Sequence, residues 1–301
     1  MTLPSARVMT PSHHSVSLPH SALHRFYNVL KYDSSNLAQL AQNYMPHLIM
    51  SGNGVDAAFG NCSDYQLIGN VAKSVKAYHL LDISDVAGLI AADLLPSPFA
   101  FADVVVCSPF STLRGPRGSA MIFYRSELAG KIDGAVFPGH QGGPHNHAIS
   151  ALAAALKMAK TDEFVGYQHR VVENAKCMAD ALKQKRSANM EVVSSANGIG
   201  HCVGIRGMEN AKALYEVADQ VNMELFYDTT QNELRLSSNA MTTRGLNTEH
   251  FKQVIDLFDD VQALSAKISQ SGKDQCQNDV NALKTEVSTF AKQFPLIGID
   301  E

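Results

Sequence analysis

The chain has 301 residues, 45% of them apolar and 18% charged, enough to bury a large core, which excludes a disulfide-stapled mini-protein and a disordered chain. Its 25 basic and 29 acidic side chains leave a net charge of −4 with no Lys/Arg block, which argues against nucleic acid as a partner. Five cysteines, Cys62, Cys107, Cys177, Cys202 and Cys276, form no C-x-x-C pair and fit a reducing compartment.

Residues 1–32 carry Arg7, Arg25 and Lys31 and no acid before Asp33. That composition resembles a transit peptide, and a frayed terminus has the same look, so the default address is cytoplasmic with a mitochondrial or plastid alternative. Residues 1–33 are set apart as a poorly defined segment. From Ser34, a helix capped by Ser35 faces inward through Leu37, Leu40, Ala41 and Tyr44, and Pro46 ends it before a strand at His47 to Met50. Asp64 leads a second helix with Leu67, Ile68, Val71, Ala72 and Val75 on one face, followed by a strand from Tyr78 to Asp82. A short helix at Val86 to Ala92 and a strand at Asp103 to Cys107 repeat the alternation. The most apolar stretch, Val86 to Val106, is interrupted by Asp93, Pro96, Pro98 and Asp103, far short of the roughly 20 apolar residues of a membrane span.

Strands alternating with helices predict an α/β fold with a mostly parallel sheet flanked by helices, here over 34–160. Beyond Gly139, helices are expected at Asn146 to Lys160 and Glu163 to Lys185. Strands follow at Glu191 to Ser194 and Cys202 to Ile205, a helix at Ala211 to Val221 and a strand at Glu233 to Ser237. Helices near Thr248 to Ser269 and Gln277 to Phe294, punctuated by Ser271 and Gly272, complete a smaller α+β domain over 161–301. Met158 and Met178 read as core.

In open α/β sheets, ligands sit outside the carboxyl ends of the strands. Asp82 ends one, where a carboxylate could hold a cationic ring nitrogen of an electron-sink cofactor such as pyridoxal phosphate; on spacing alone, helix capping is the commoner role. The loop Ser108 to Gly118 brings hydroxyls, glycines, Arg114 and Arg117, suited to an anion or to bracing itself. Gly142 and Gly143 precede a helix, an arrangement that lets backbone approach a phosphate. His145, Asn146 and His147 read as capping residues. As an i,i+2 pair the histidines are no metal site, and no metal is expected.

Phe137-Pro-Gly-His-Gln-Gly-Gly-Pro-His-Asn-His147 is similar to the F-P-x-x-Q-G-G-P-H-N-H segment of serine hydroxymethyltransferases, fold-type I pyridoxal-phosphate enzymes of one-carbon metabolism. Thr112-Leu-Arg-Gly-Pro-Arg-Gly118 resembles the end of that family's T-H-K-T-L-R-G-P-R. Asp82-Ile-Ser-Asp-Val-Ala-Gly-Leu-Ile-Ala-Ala92 resembles D-x-A-H-x-A-G-L-x-A-A, with Pro96-Ser-Pro98 following. Arg235-Leu-Ser-Ser-Asn-Ala-Met-Thr-Thr-Arg-Gly245 resembles R-L-G-T-P-A-x-T-T-R-G. The co-linear series covers about Ser34 to Phe258, and Leu18-Pro-His20 is similar to part of a preceding L-P-H-G-G-H.

The resemblance implies Asp82 for the pyridine nitrogen, Gly142 and Gly143 for a phosphate lent across a dimer interface, Ser108 for a phosphate or ring contact, and Arg235 for the substrate carboxylate. It also places Ser111 where the Schiff-base lysine belongs and Phe110 where the neighbouring histidine belongs. Asp85 replaces a further histidine, setting a second carboxylate beside the pocket. Ser237 to Ala240 departs from G-T-P-A, Asp228 to Glu233 is shorter than the family's folate-side loop, and Gly52 to Gly60 lacks the expected G-x-S-x-Y-S-R. The chain also starts later than the family pattern, so the N-terminal half-site is expected to be missing.

Three readings follow. The leading one is a serine hydroxymethyltransferase-like pseudoenzyme acting as a binding or regulatory partner, in a homodimer or in a heterodimer with an active relative. The alternative is an enzyme acting on glycine or serine, with folate, that uses non-covalent pyridoxal phosphate. The third is a truncated relic.

Overall fold

A computed structural model of the chain describes residues 7–10, 25–28, 34–52, 64–185, 190–194, 198–229 and 231–299. The Ser35 cap and most of the Gly52 to Gly60 stretch lie outside the described side chains. The chain divides into two compact units, 1–168 and 169–301.

The first unit is built on a six-stranded sheet of β1 (Arg7–Thr10), β2 (Arg25–Asn28), β3 (Leu48–Gly52), β4 (Tyr78–Asp82), β5 (Val104–Cys107) and β6 (Met121–Tyr124). Their order is β2-β1-β3-β4-β5-β6. All neighbours run parallel except β5 and β6, so this is the mostly parallel, helix-flanked α/β sheet that the alternation predicts. β1, β2 and β6 have no counterpart in the sequence reading. Unlike β5, whose Val104-Val105-Val106 run is a local signal, these four-residue strands carry no readable period, and pairing within the sheet defines them.

Helix α1 (Ser34–Tyr44) and α2 (Tyr65–Ser74) close over the sheet through Leu37, Ala41, Ile49, Ile68, Val71 and Ala72. Asp64 caps α2 as expected, its carboxylate accepting the Leu67 amide at 2.8 Å. After β4 come α3 (Ala87–Ala91), α4 (Ala129–Gly134) and α5 (Asn146–Met158). In α5, Ala148 alone is buried. Met158, expected in the core, is 57% exposed, while Met178 is buried as expected.

Helix α6 (Asp162–Lys185) runs across the division between the units. In the second unit, β7 (Glu191–Val193), β8 (Cys202–Arg206), β9 (Phe226–Asp228) and β10 (Glu233–Ser237) form an antiparallel sheet ordered β7-β8-β10-β9. The helices α7 (Ala211–Gln220), α8 (Asn239–Thr243), α9 (Thr248–Ser271) and α10 (Gln277–Ala291) accompany it. Their shared core centres on Met178, Leu182, Ile205, Leu234, Phe251 and Phe258. Asn247 and His250 reciprocally cap α9: the Asn247 carboxamide oxygen accepts the His250 amide at 3.1 Å, and the Asn247 amide donates to His250 Nδ1 at 3.2 Å.

Candidate functional site

In the first unit the site is laid out beyond the carboxyl ends of β3, β4 and β5. Gly52 ends β3 opposite Asp82 with φ +78°, and a Cβ there would stand 1.9 Å from the Asp82 carbonyl oxygen, so the close approach of these strand ends requires glycine. Asp82 is half-buried, and its Oδ1 accepts both the Ser84 amide at 2.8 Å and the Ser84 hydroxyl at 2.6 Å. Ser84 Oγ in turn accepts the Ser108 amide at 2.8 Å. Asp82 therefore does not cap α3, whose N-cap is Val86 without a side-chain bond. It forms a turn over Ser84 that ties the ends of β4 and β5 together. Ser84 is a positioning residue, and its D-x-S spacing from Asp82 is the signal for this turn.

Beneath this turn lies Cys107. Burial pushes its thiol up to about 12, and the Asp82 charge pushes the same way. The thiol is neutral at physiological pH and is no nucleophile.

The loop from Ser108 to Gly118 is fixed by Thr112, which is fully buried. Thr112 Oγ1 accepts the Gly88 amide at 2.9 Å and donates to the Asp85 carbonyl at 3.2 Å, while the Thr112 carbonyl accepts Gln168 Nε2 at 2.7 Å. Asp85 thus meets the loop through its main chain. The Gly115 amide bonds the Pro109 carbonyl at 2.8 Å, and the Arg114 amide bonds the Ser111 carbonyl at 3.2 Å. Both arginines stack on rings: Arg117 lies 4.4 Å over Phe110 and Arg114 lies 4.6 Å over Tyr167. Both side chains are exposed, and their ring contacts brace the loop. Ser111 presents a hydroxyl in this backbone, and Phe110 is 45% exposed.

Gly142 and Gly143 stand in the open, where a Cβ would meet nothing within 4 Å. The helix that follows has His145 at its N-cap position with no side-chain bond, so Asn146 is its first residue and not its cap. The His145 and His147 rings stack with centroids 5.7 Å apart. Among the described residues, no group of three His, Cys, Asp or Glu is placed to hold a metal ion, and no helix is long and apolar enough to cross a membrane.

In the second unit, Arg235 on β10 is already engaged. Its Nε donates to Glu233 and its Nη2 to Asp228, and the Phe226 ring lies 5.0 Å from its guanidinium. Glu233 is fully buried and also accepts Arg206 Nε at 2.5 Å, while Arg206 Nη2 bonds Gln231 at 2.6 Å. Arg235 is in an ion pair, as an isolated reading of a strand arginine allows, but with 11% of its side chain exposed it is not a surface residue. Glu233 escaped the sequence reading. Its i,i+2 spacing from Arg235 puts both on one face of the strand.

The serine hydroxymethyltransferase family model matches residues 20–258. A mitochondrial serine hydroxymethyltransferase of Schizosaccharomyces pombe is 35% identical over 308 residues, covering 88% of this chain and 61% of the relative. The cytosolic enzyme of Saccharomyces cerevisiae is 32% identical, covering 89% and 63%, and the serine hydroxymethyltransferase of Bombyx mori is 33% identical, covering 89% and 64%. The chain therefore spans less than two thirds of the length of these relatives.

Proposed function

This chain belongs to the serine hydroxymethyltransferase family, and from that premise we propose that it is a non-catalytic member whose scaffold works by pairing with a family subunit, its own copy or a longer active relative. The observation that carries the reading is the loop around Ser111. Its backbone is held from both sides by Thr112 and Gly115, and it offers a hydroxyl where the family motif carries its lysine. A hydroxyl forms no imine with an aldehyde, so covalent attachment of pyridoxal phosphate lacks its nucleophile.

When bound to family enzymes, pyridoxal phosphate supplies an electron sink. The residues here do not fit it as a resident cofactor. Besides the missing amine, Asp82 Oδ1 already accepts two hydrogen bonds from Ser84. No chemical step is assigned to it, and binding, where it occurs, is non-covalent.

Pairing is supported by the stretch from Val136 to Met158. Phe137 ahead of α5 is 64% exposed, and on α5 itself, whose single charge is Lys157, Ile149 is 53%, Leu156 38% and Met158 57% exposed. An apolar helix left in water is a surface awaiting a partner. We assign the chain to the cytoplasm, where Cys107, Cys177, Cys202 and Cys276, none of them in a disulfide, stay reduced.

The test has two arms. Titration of the full chain with pyridoxal phosphate, borohydride reduction and mass analysis is expected to give no lysyl adduct and no cofactor-dependent exchange of the glycine α-proton. An adduct or turnover would overturn the reading in favour of an enzyme. Light scattering of the chain alone and mixed with an active family member is expected to show a shared complex, and separate monomers in both samples would remove the pairing role.

A further inference from the structure

Two departures from the family pattern meet on one imidazole. Where that pattern reads R-L-G-T-P-A, this chain reads Arg235-Leu-Ser-Ser-Asn-Ala240, which puts a hydroxyl at the glycine position and a carboxamide at the proline position. In the second unit both turn to His201, which immediately precedes β8 and is 4% exposed. Ser237 Oγ lies 3.1 Å from His201 Nδ1, and Asn239 Nδ2 lies 3.1 Å from the same nitrogen. The backbone between them is fixed by the fully buried Ser238, whose amide donates to the His201 carbonyl at 2.8 Å and whose hydroxyl donates to the Val171 carbonyl at 2.7 Å.

A carboxamide nitrogen only donates, so Nδ1 is the acceptor of this cluster and carries no proton. The Ser237 hydroxyl therefore has a base within hydrogen-bond reach. The Asn239 amide, 3.4 Å from Oγ, donates to that oxygen and supports negative charge as it builds there. Ser237 ends β10 and is exposed, so an electrophile reaches the hydroxyl while the imidazole stays buried.

We infer that Ser237 is a nucleophile that takes up an acyl group from an activated ester or thioester, with His201 as its base. Oγ attacks the acyl carbon and its proton passes to Nδ1. The Oγ–C bond forms, the bond from the acyl carbon to the leaving oxygen or sulfur breaks, and the leaving group carries away the proton from Nδ1. The product is an O-acyl serine, formed once per chain. While Nδ1 holds the proton, a half-turn of the Asn239 carboxamide presents Oδ1 to it, so the same side chain holds the ring in both states. The inference goes beyond the pairing proposed above, and neither depends on the other.

The full chain is treated with 4-nitrophenyl acetate, and the acetyl groups are placed by peptide mass mapping, which separates Ser237 from lysines and cysteines. Ser237 is expected to acetylate at least about tenfold faster than the exposed Ser126, a modest share of the roughly 10²–10⁴-fold that a positioned base contributes. His201→Gln is expected to bring Ser237 down to the Ser126 rate, and Ser237→Ala to remove that adduct alone. Equal rates at the two serines of the natural chain overturn the inference. So does a folded His201→Gln chain that labels Ser237 as fast as before. His201→Asn serves the same purpose should the glutamine variant fail to fold, and the natural-chain comparison is decisive in either event.

Discussion

His79 shows how much one buried polar side chain fixes. It is fully buried on β4; Nδ1 contacts the Phe101 carbonyl at 3.0 Å and Nε2 contacts Ser51 Oγ on β3 at 2.7 Å. A carbonyl only accepts, so Nδ1 carries the proton; burial disfavours a second proton, which leaves Nε2 to accept from the serine hydroxyl. Its amide also bonds Asp103 Oδ2 at 2.8 Å, so three neighbouring segments meet at this residue. Desolvation lowers the His79 pKa below its ordinary 6.5 and outweighs the opposing pull of the Phe101 carbonyl and Asp103. Above pH of about 6.5 the ring is neutral in both folded and unfolded chains. As the pH falls through that value, the unfolded chain binds a proton that the folded one refuses, so stability drops until the lower folded-state pKa is reached. Urea midpoints measured between pH 7.5 and 5.5 are expected to fall for the natural chain and to fall less for His79→Gln. Equal slopes would show that the acid sensitivity arises elsewhere.

At the scale of elements, α3 shows how a helix too short to stand alone is held. Its five residues lie below the length at which a helix is stable in isolation, and packing supplies what propensity does not. Gly88 is the contact point. A Cβ on it would lie 2.3 Å from the Thr112 carbonyl oxygen and 2.6 Å from Gln168 Nε2, both belonging to buried residues already hydrogen-bonded to one another. Gly88→Ala is therefore expected to destabilise the chain by about 1–3 kcal/mol through overpacking, read as a lowered midpoint in thermal or urea unfolding. An unchanged midpoint would mean that α3 moves freely away from the loop. The longer helices from Asp64 onward were legible in the sequence to within a few residues, because their apolar spacing and the Asp64 cap are local signals, whereas the short helices α4 and α8 and the Asn247 cap were not read. The short strands β1, β2, β6 and β9 were not, since their identity comes from the strand they pair with rather than from a period of their own.

At the scale of the molecule, the exposed face of α5 carries the pairing proposal. Ile149 and Leu156 are seven residues apart, two turns along one side of the helix. Both already face water, so Ile149→Asp with Leu156→Asp is expected to leave the circular dichroism of the chain unchanged. Light scattering of the double variant is expected to give the monomer mass, alone and in the presence of an active family member. A shared complex that survives the double change would move the pairing surface off α5.

Hydropathy periodicity in the linear chain is sufficient for the parallel α/β unit, the later helices and the order of the motifs, because each is written over consecutive residues. The family resemblance was legible for the same reason, and the matched span of residues 20–258 bears it out. The partners of the motif residues were not written there. Asp82 turns to Ser84 and Ser108, the Ser108 to Gly118 arginines lie on Phe110 and Tyr167, and Arg235 is claimed by Glu233 and Asp228. Met158, apolar in a helical run, faces water. Hydrogen bonds and charge compensation are settled by which atoms meet in space, and a motif carries the donor without the acceptor that folding brings to it.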